Sequence, residues 1–373
     1  MKVSIRADAS SQIGIGHVMR CATLADALAL RGATCRFLFR SLPDPVAEQI
    51  RARGHETRRL ATLKDAQPDN DLYGTWLGVS RTQDAAECAA VLAEDPQDLL
   101  IVDHYAIDAT WHKTVRPGMK RLLVVDDLAD RPHDCDLLVD QNLGRSPEDY
   151  DGLVPDAADR MTGPSFAMLR PEFPAARDQA LAGRNNRPFR RLLVSMGGMD
   201  KDDATSAILQ ELAHNTFPDT FEITVVMGPA ATNLDRVRTI AETIPVPTRV
   251  LSNVADMVPL MAEADLAIGG AGSTSWERCT LGLPTLLLTI ADNQWPAAKA
   301  LEAAGAAVAL GDIRRDGWKP ALSDAVQGAL KERCWVETRS RAAGNVCDGH
   351  GAERVADAVL RALAPQQQKG AFA

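Results

Sequence analysis

The sequence predicts an α/β protein made of two similar halves, each a parallel sheet covered by helices on both faces. Short apolar runs such as Leu99–Val102 alternate with amphipathic helical patterns, and strands that are apolar on both faces are typical of buried parallel sheets. The chain has 373 residues, which is long for one hydrophobic core. Residues 163–190 interrupt the alternation with prolines and few apolar runs. We therefore expect two Rossmann-like domains that face a cleft.

The first predicted domain spans residues 1–165. Its first strand is Val3–Ala7, and the helix that follows has apolar residues at helical spacing and ends near Gly32. The same reasoning predicts strands at 35–39, 99–102, 121–125 and 137–139, and helices at 46–53 and 85–92.

Residues 166–190 are predicted to be a linker, because they contain several prolines. The second domain then spans residues 191–362, and residues 363–373 form a polar tail that we expect to be disordered. In this domain we predict strands at 192–194, 223–227, 250–251, 266–268 and 285–288, and helices at 204–212, 257–263, 276–281, 293–304 and 319–330, with two more from 332 onward.

Composition narrows the class of protein. The formal net charge is −9, which argues against a general nucleic-acid binder. The first residues lead directly into a strand without the apolar core of a signal peptide, and the apolar stretch Leu281–Ala291 is too short to span a bilayer. The seven cysteines are scattered and form no Cys-x-x-Cys pair. We expect a cytoplasmic protein with no membrane partner, no disulfide framework, no metal and no cofactor; its oligomeric state stays open.

A glycine turn between the first strand and the first helix is the first candidate for chemistry. Gly14 and Gly16 lack the third glycine of a dinucleotide fingerprint, because position 19 is Met19. His17 falls at the start of the helix, where backbone N–H groups and the helix dipole favour anions and disfavour the imidazolium. A neutral ring there can accept a proton. The alternative is a histidine that only caps or packs.

A second glycine turn, Gly269–Ser273, lies between a predicted strand and a predicted helix. Its glycines let the backbone approach a diphosphate, and the hydroxyls and N–H groups there can bind it. No Gly-Lys-Ser/Thr follows, so the turn is not a P-loop. Glu277 could accept from ribose hydroxyls, or it could simply stabilise the helix dipole. Asn293 and Gln294 could bind a sugar, or cap the next helix.

Other polar residues follow predicted strands. Asp103, His104 and Tyr105 come after the strand at 99–102 and would project into the same cleft. Asp126 and Asp127 follow the strand at 121–125; without a third carboxylate at metal spacing, capping is favoured over metal binding.

The motifs together resemble one family, the UDP-sugar hydrolases of the pseudaminic acid pathway (the PseG family). The matching segments span about residues 1–360. They are Arg6–Ser10, Ile13–Arg20, Val194–Gly198, Ala267–Arg278, Leu281–Pro284 with Asn293-Gln294, and Asp348–Ala352. The family implies a glycosyltransferase-B-like fold related to MurG-type transferases. One departure is Asp203, near a position where the family tends to carry an asparagine; it puts the fine substrate contacts there in question.

The resemblance implies roles for individual residues. His17 would be the base that activates water to displace UDP from UDP-2,4-diacetamido-2,4,6-trideoxy-β-L-altropyranose. This step leads toward a nonulosonic acid for surface glycans such as those of flagellin. Residues Gly270–Thr274 would hold the diphosphate and Glu277 the ribose. The residues implied in substrate binding are Asp8, Gly16, Arg20, Tyr105, Gly270, Gly272, Ser273, Thr274, Glu277, Asn293 and Gln294.

Two other functions stay open at this point. A transferase would hand the sugar to another acceptor, although no exposed apolar and basic segment for a lipid acceptor is evident. A non-catalytic nucleotide-sugar-binding module would not need a base at position 17. The stereochemistry of the sugar, including a legionaminic-type substrate, is also open.

Overall fold

The computed structural model of the chain describes residues 1–10, 12–61, 67–184, 187–198, 200, 202–228 and 231–364. The chain divides into two compact units. The first contains Met1–Gln141, Arg145–Thr162 and the helix Gly351–Leu363 at the end of the chain. The second contains Asn142–Gly144 and Gly163–His350.

The first unit is built on a parallel sheet of seven strands in the order β3-β2-β1-β4-β5-β6-β7. This order is that of a Rossmann-type sheet with one further strand. Its strands are β1 (Lys2–Ala7), β2 (Thr34–Phe39), β3 (Glu56–Arg59), β4 (Gln97–Asp103), β5 (Met119–Val125), β6 (Leu137–Asp140) and β7 (Asp159–Thr162). Its helices are α1 (Gly16–Ala29), α2 (Asp44–Ala52), α3 (Arg81–Glu94) and α4 (Ala109–Val115), together with the C-terminal helix Gly351–Leu363.

The second unit repeats this plan with six parallel strands in the order β10-β9-β8-β11-β12-β13. The strands are β8 (Arg191–Ser195), β9 (Glu222–Met227), β10 (Thr248–Ser252), β11 (Leu266–Gly270), β12 (Thr285–Thr289) and β13 (Ala307–Asp312). The helices are α5 (Glu172–Arg184), α6 (Ala204–Leu212), α7 (Leu234–Ala241), α8 (Val258–Glu263), α9 (Thr274–Thr280), α10 (Trp295–Ala303), α11 (Trp318–Lys331) and α12 (Arg333–Val346). The predicted fold class of two Rossmann-like halves is confirmed; the cleft remains a prediction.

Burial explains why the central strands read as continuous apolar runs. Leu99, Leu100, Ile101 and Val102 are at most 1% exposed, because helices cover both faces of the sheet. Strand β11 is buried at all five positions for the same reason. The carboxyl ends of β1, β4 and β11 are therefore held rigidly, and the candidate site residues follow these ends.

Two features differ from the predicted domain division. The segment 166–190 is not an isolated linker, since it forms α5, whose Phe173 is fully buried in the second unit. Its prolines are compatible with a helix because Pro174 lies in the first turn, where no intrahelical N–H bond is lost. The final helix, α13 (Gly351–Leu363), packs on α1 of the first unit instead of closing the second. Of the predicted tail, 363–373, Leu363 belongs to α13, and residues 365–373 lie outside the described residues.

None of the described helices is long and apolar enough to cross a membrane. No group of three or more His, Cys, Asp or Glu side chains in the described ranges is arranged to hold a metal ion.

Candidate active site

The loop after β1 has a defined geometry that fixes the start of α1. The Ser10 hydroxyl accepts hydrogen bonds from the N–H groups of Gln12 and Ile13, both at 3.2 Å. The Gly14 N–H donates to the Ser10 carbonyl at 2.8 Å, and Gly14 has φ +79°. This left-handed backbone favours glycine. The loop therefore delivers Gly16 as the first residue and His17 as the second residue of α1.

His17 is paired with Asp103 at the end of β4. Strands β1 and β4 are neighbours, and Ala7 lies opposite Asp103 in their register. The His17 Nδ1 lies 2.6 Å from the Asp103 Oδ1. Because an ionised carboxylate only accepts hydrogen bonds, Nδ1 carries the proton and Nε2 is left as the proton acceptor. No residue in the described part of the chain bonds Nε2. The ring is 9% exposed, so it is almost buried.

Arg20, one turn along α1, holds Asp103 through two bonds. Its Nε donates to Oδ2 at 2.6 Å and its Nη2 donates to Oδ1 at 2.8 Å. Burial by itself would raise the pKa of Asp103, but Arg20, and then His17, hold that pKa well below its usual range. The third nitrogen, Nη1, donates to Asp127 at 2.9 Å. Arg20 thus keeps the partner of His17 ionised and fixed in place.

Tyr105 completes this group. Its ring meets the His17 ring edge-on, with centroids 4.7 Å apart. Its hydroxyl donates to the Asp127 Oδ2 at 2.9 Å. Burial, followed by the Asp127 charge, raises the pKa of Tyr105 well above its ordinary value, so the phenol remains a neutral donor. The structure therefore brings together His17, Gly16, Arg20 and Tyr105 of the predicted site residues.

Asp8 does not join this group. It is fully buried, its Oδ2 lies 2.8 Å from Arg6 Nη1, and its Oδ1 accepts from the N–H groups of Arg40 and Ser41 at 2.7 and 3.1 Å. It ties the end of β1 to the end of β2. A carboxylate without exposed surface cannot contact a substrate in this conformation, so its predicted binding role is not supported by its position.

The second glycine turn lies in the second unit, between β11 and α9. Gly270 ends the strand, Ser273 precedes the helix, and Thr274 is its first residue. Gly272 and Ser273 are exposed, and the Ser273 side chain makes no capping bond to the helix. The N–H groups of Ser275 and Trp276 donate to the carbonyls of Gly272 and Ser273 at 2.9 and 3.1 Å, while those of Ser273 and Thr274 have no acceptor among the described residues.

A buried arginine lies directly behind this turn. The Arg278 Nη2 donates to the Gly270 carbonyl at 2.6 Å and to the Ser275 hydroxyl at 3.0 Å. A Cβ on Gly269 would come within 2.2 Å of the Arg278 Nη1, so a larger residue there would force the guanidinium to move. Among the described residues no carboxylate oxygen lies within 4 Å of Arg278. Burial lowers the pKa of Arg278 to about 10, which leaves it cationic at neutral pH.

The remaining predicted residues of this unit differ in their surroundings. Glu277 is half-buried, and its carboxylate has no hydrogen bond to a residue that the structure describes. Burial raises the pKa of Glu277, against the opposing charges of Arg170 and Arg278. Asn293 is exposed. The Gln294 Oε1 accepts from the Ile290 N–H at 3.0 Å, so it stabilises its own loop, as a cap would.

Asp103 and Asp127 contact His17, Arg20 and Tyr105, and the sequence reasoning did not predict these contacts. Both were noted only as polar residues after strands. The signal for Asp103 was its place at the end of a central strand next to β1. Asp127 could not be separated from Asp126, which instead accepts from the buried Tyr150 hydroxyl at 2.9 Å. Asp203 has φ +52° and pairs with Arg236 at 2.8 Å.

The chain is similar in sequence to curated proteins of polysaccharide and sugar-nucleotide metabolism. No family model matches it. The UDP-2,4-diacetamido-2,4,6-trideoxy-β-L-altropyranose hydrolase of Campylobacter jejuni is 27% identical over 309 residues, which are 81% of this chain and 98% of the hydrolase. The spore coat polysaccharide biosynthesis protein SpsG of Bacillus subtilis is 26% identical over 326 residues, which are 83% of this chain and 84% of that protein. These relatives support the predicted resemblance at the level of the family.

Solved structures share the fold. MurG of Acinetobacter baumannii has a TM-score of 0.70 at 14% identity and covers 96% of this chain and 99% of its own. The calicheamicin glycosyltransferase CalG4 has a TM-score of 0.61 at 16% identity, with coverages of 97% and 99%. At these identities the likeness establishes a glycosyltransferase-B-like fold and nothing finer.

Proposed function

We propose that this protein is an enzyme that hydrolyses a UDP-sugar by attack of water at the anomeric carbon. The observation that carries the proposal is the pairing of His17 with Asp103. A histidine used only for packing needs neither an ionised carboxylate on Nδ1 nor an unpartnered Nε2, whereas a general base needs both.

The reaction that we propose balances as follows. His17 Nε2 accepts a proton from water, and the water oxygen forms a bond to the anomeric carbon. The bond from that carbon to the phosphate oxygen breaks, and its electron pair leaves with UDP. The imidazolium that forms is stabilised by Asp103, which Arg20 keeps ionised. Positioned bases of this kind contribute about 10²–10⁴-fold to rate.

UDP is a good leaving group only if its charge is stabilised. We assign that task to residues 270–274, because the N–H groups and hydroxyls of an exposed turn at a helix start suit phosphate oxygens. The buried Arg278 adds a fixed positive charge behind them. Glu277, whose carboxylate lacks a bond within the described residues, is our candidate acceptor for ribose hydroxyls.

The substrate that we propose is UDP-2,4-diacetamido-2,4,6-trideoxy-β-L-altropyranose. The support is the similarity to the Campylobacter jejuni hydrolase, 98% of whose length is matched by this chain. The reaction would then be a step in pseudaminic acid biosynthesis, carried out in the cytoplasm. No metal ion or cofactor takes part in this proposal.

The test is to incubate the UDP-sugar with the protein in water and follow the anomeric proton signal by NMR together with released UDP. We expect free sugar and UDP to appear with no added acceptor. His17→Asn is expected to abolish turnover and retain UDP binding. Near-normal turnover by this variant would remove His17 as the base.

A glycosyltransferase is the second candidate, because the glycosyltransferase-B-like fold by itself does not distinguish a transferase from a hydrolase. It predicts that sugar leaves UDP only when an acceptor is present. If UDP is released as fast without an acceptor as with one, a glycosyltransferase is excluded. Tight UDP-sugar binding with no product in either assay would instead indicate a binding module.

A further inference from the structure

The described residues between β3 and α3 carry two aromatic side chains that the mechanism does not use. Tyr73 precedes a 3-10 helix, Gly74–Leu77, and Trp76 lies within it. Both side chains are half-buried. We refer to Tyr73, Trp76 and Tyr105 as the aromatic wall.

The wall is continuous with the proposed base. Trp76 stacks on Tyr105 with ring centroids 5.6 Å apart at an angle of 27°. Tyr73 packs edge-on against Trp76 at 4.9 Å and against Tyr105 at 5.2 Å. Tyr105 in turn contacts the His17 ring at 4.7 Å. The buried Tyr105 therefore joins the half-buried rings of Tyr73 and Trp76 to the residue that would activate water.

Hydrogen bonds and one close backbone approach hold the wall in place. The Asp71 Oδ1 accepts from the Gly74 N–H at 2.7 Å, and its other oxygen pairs with Arg81 at the start of α3. The Arg81 N–H donates to Asp69 at 2.8 Å. A Cβ on Gly74 would lie 2.3 Å from the Asp69 carbonyl oxygen, so glycine is required for this approach. These contacts fix the backbone of the segment, and the backbone in turn fixes the positions of Tyr73 and Trp76.

The polar atoms of the two side chains are free to bind a ligand. Within the described ranges, neither the Tyr73 hydroxyl nor the Trp76 Nε1 has a hydrogen-bond partner, although both side chains are partly buried. Burial, followed by the Asp130 charge, raises the pKa of Tyr73, so its hydroxyl stays a neutral donor. Half-buried Tyr and Trp side chains combine an apolar ring with a polar group that can bind a ligand.

From this geometry we infer that the aromatic wall is the sugar subsite, an inference that rests on the proposed function. Its ligand is then the N-acylated deoxyhexose of the substrate proposed above. The sugar of the proposed substrate carries one methyl group at its deoxygenated end and two in its acetamido groups. These apolar groups suit the aromatic faces, and the acetamido oxygens suit the Tyr73 and Trp76 donors.

The experiment measures equilibrium binding of the UDP-sugar and of UDP alone by calorimetry in the His17→Asn background, which is expected not to consume the UDP-sugar, and compares wild type at position 76 with Trp76→Ala and Trp76→Phe. We expect Trp76→Ala to weaken UDP-sugar binding about tenfold and to leave UDP binding unchanged, since an aromatic contact of this kind contributes that much. Trp76→Phe keeps the ring and is expected to stay within threefold of wild type. Leu72→Ala is the matched control, because Leu72 is 79% exposed in the same segment.

The outcomes separate this inference from the proposed function. If Trp76→Ala weakens binding of the UDP-sugar and of UDP by the same factor, or weakens neither, the assignment of the sugar subsite is wrong. If wild type binds the UDP-sugar through the wall but releases no UDP in water, the subsite stands and the hydrolase function fails. If hydrolysis proceeds in wild type and in Trp76→Ala with the same KM, the function stands and the subsite is overturned.

Discussion

The Nδ1 atom of His17 lies 2.6 Å from the Oδ1 atom of Asp103, although the two residues are 86 positions apart in the chain. Neighbouring parallel strands bring them together, since β1 and β4 end at the same edge of the sheet. A glycine turn then places the histidine at the start of α1, facing the carboxylate. The pair orients one imidazole nitrogen and leaves the other available, which is the property on which the proposed chemistry depends.

Asp103→Asn is expected to lower kcat for UDP-sugar hydrolysis by about 10²–10⁴-fold, because an amide no longer fixes the proton on Nδ1 or stabilises the imidazolium. UDP affinity should not change, since the proposal assigns the diphosphate to residues 270–274 of the second unit and not to Asp103. Steady-state kinetics and UDP titration check this, with a thermal melt to verify folding. Activity within threefold of wild type in a folded variant would contradict the role of Asp103.

Arg278→Gln is expected to weaken UDP binding about tenfold, because it removes the fixed charge behind the Gly270 carbonyl. Arg314→Gln removes one positive charge from an exposed position of the same unit and serves as the matched control. Calorimetry with UDP measures both variants. A fall in melting temperature with unchanged UDP affinity would leave Arg278 as a structural residue only.

Glu277→Gln is expected to weaken UDP binding about tenfold and to weaken binding of 2′-deoxyuridine diphosphate less. The reason is that a carboxylate accepts from ribose hydroxyls more strongly than an amide oxygen does. Competition binding of the two nucleotides gives the preference directly. An unchanged preference for the ribonucleotide would exclude Glu277 as the ribose acceptor.

The free energy of unfolding is expected to fall as pH drops from 6.5 to about 4, because burial lowers the pKa of His133 to about 4. Between these values the unfolded chain binds a proton that the folded chain does not, so acid favours unfolding. The full effect is about 3 kcal/mol, from about 1.4 kcal/mol per pKa unit.

His133→Leu removes this titrating group and should make the loss of stability over that range smaller. His112, which lies beside it with ring centroids 5.5 Å apart, has its pKa lowered in the same direction and still contributes. Urea unfolding of wild type and variant at pH 7 and pH 4.5 gives the loss in the free energy of unfolding between the two pH values for each protein. Equal losses would show that His133 does not carry the effect.

Continuous apolar strands were the part of the fold that local sequence could predict. The run 99–102 is buried on both faces and has few other interpretations. Strand β3, Glu56–Arg59, is polar and lies at the sheet edge, so no apolar pattern marks it. Helix α5 was hidden by Pro171 and Pro174, because a proline in a first helical turn resembles a proline in a linker.

The candidate site divides in the same way. Glycine turns between strands and helices are local features, and His17 and residues 270–274 could be found from them. The partners could not, because Asp103 and Asp127 become neighbours of Arg20 only through the strand order. The choice between Asp126 and Asp127 depends on which carboxylate turns inward to Tyr150, and adjacent positions carry no signal for that.

The position of the C-terminal helix in the chain determines when the first unit can complete its fold during synthesis. Val355, Ala356 and Val359 of this helix are fully buried, and Asp357 pairs with Arg31 of the first unit. The first unit begins the chain, yet the ribosome supplies its last helix only after the whole second unit has been made. A nascent first unit must therefore wait with an uncovered apolar face, and a circular permutant that carries 351–363 ahead of β1 would let it fold as soon as it emerges.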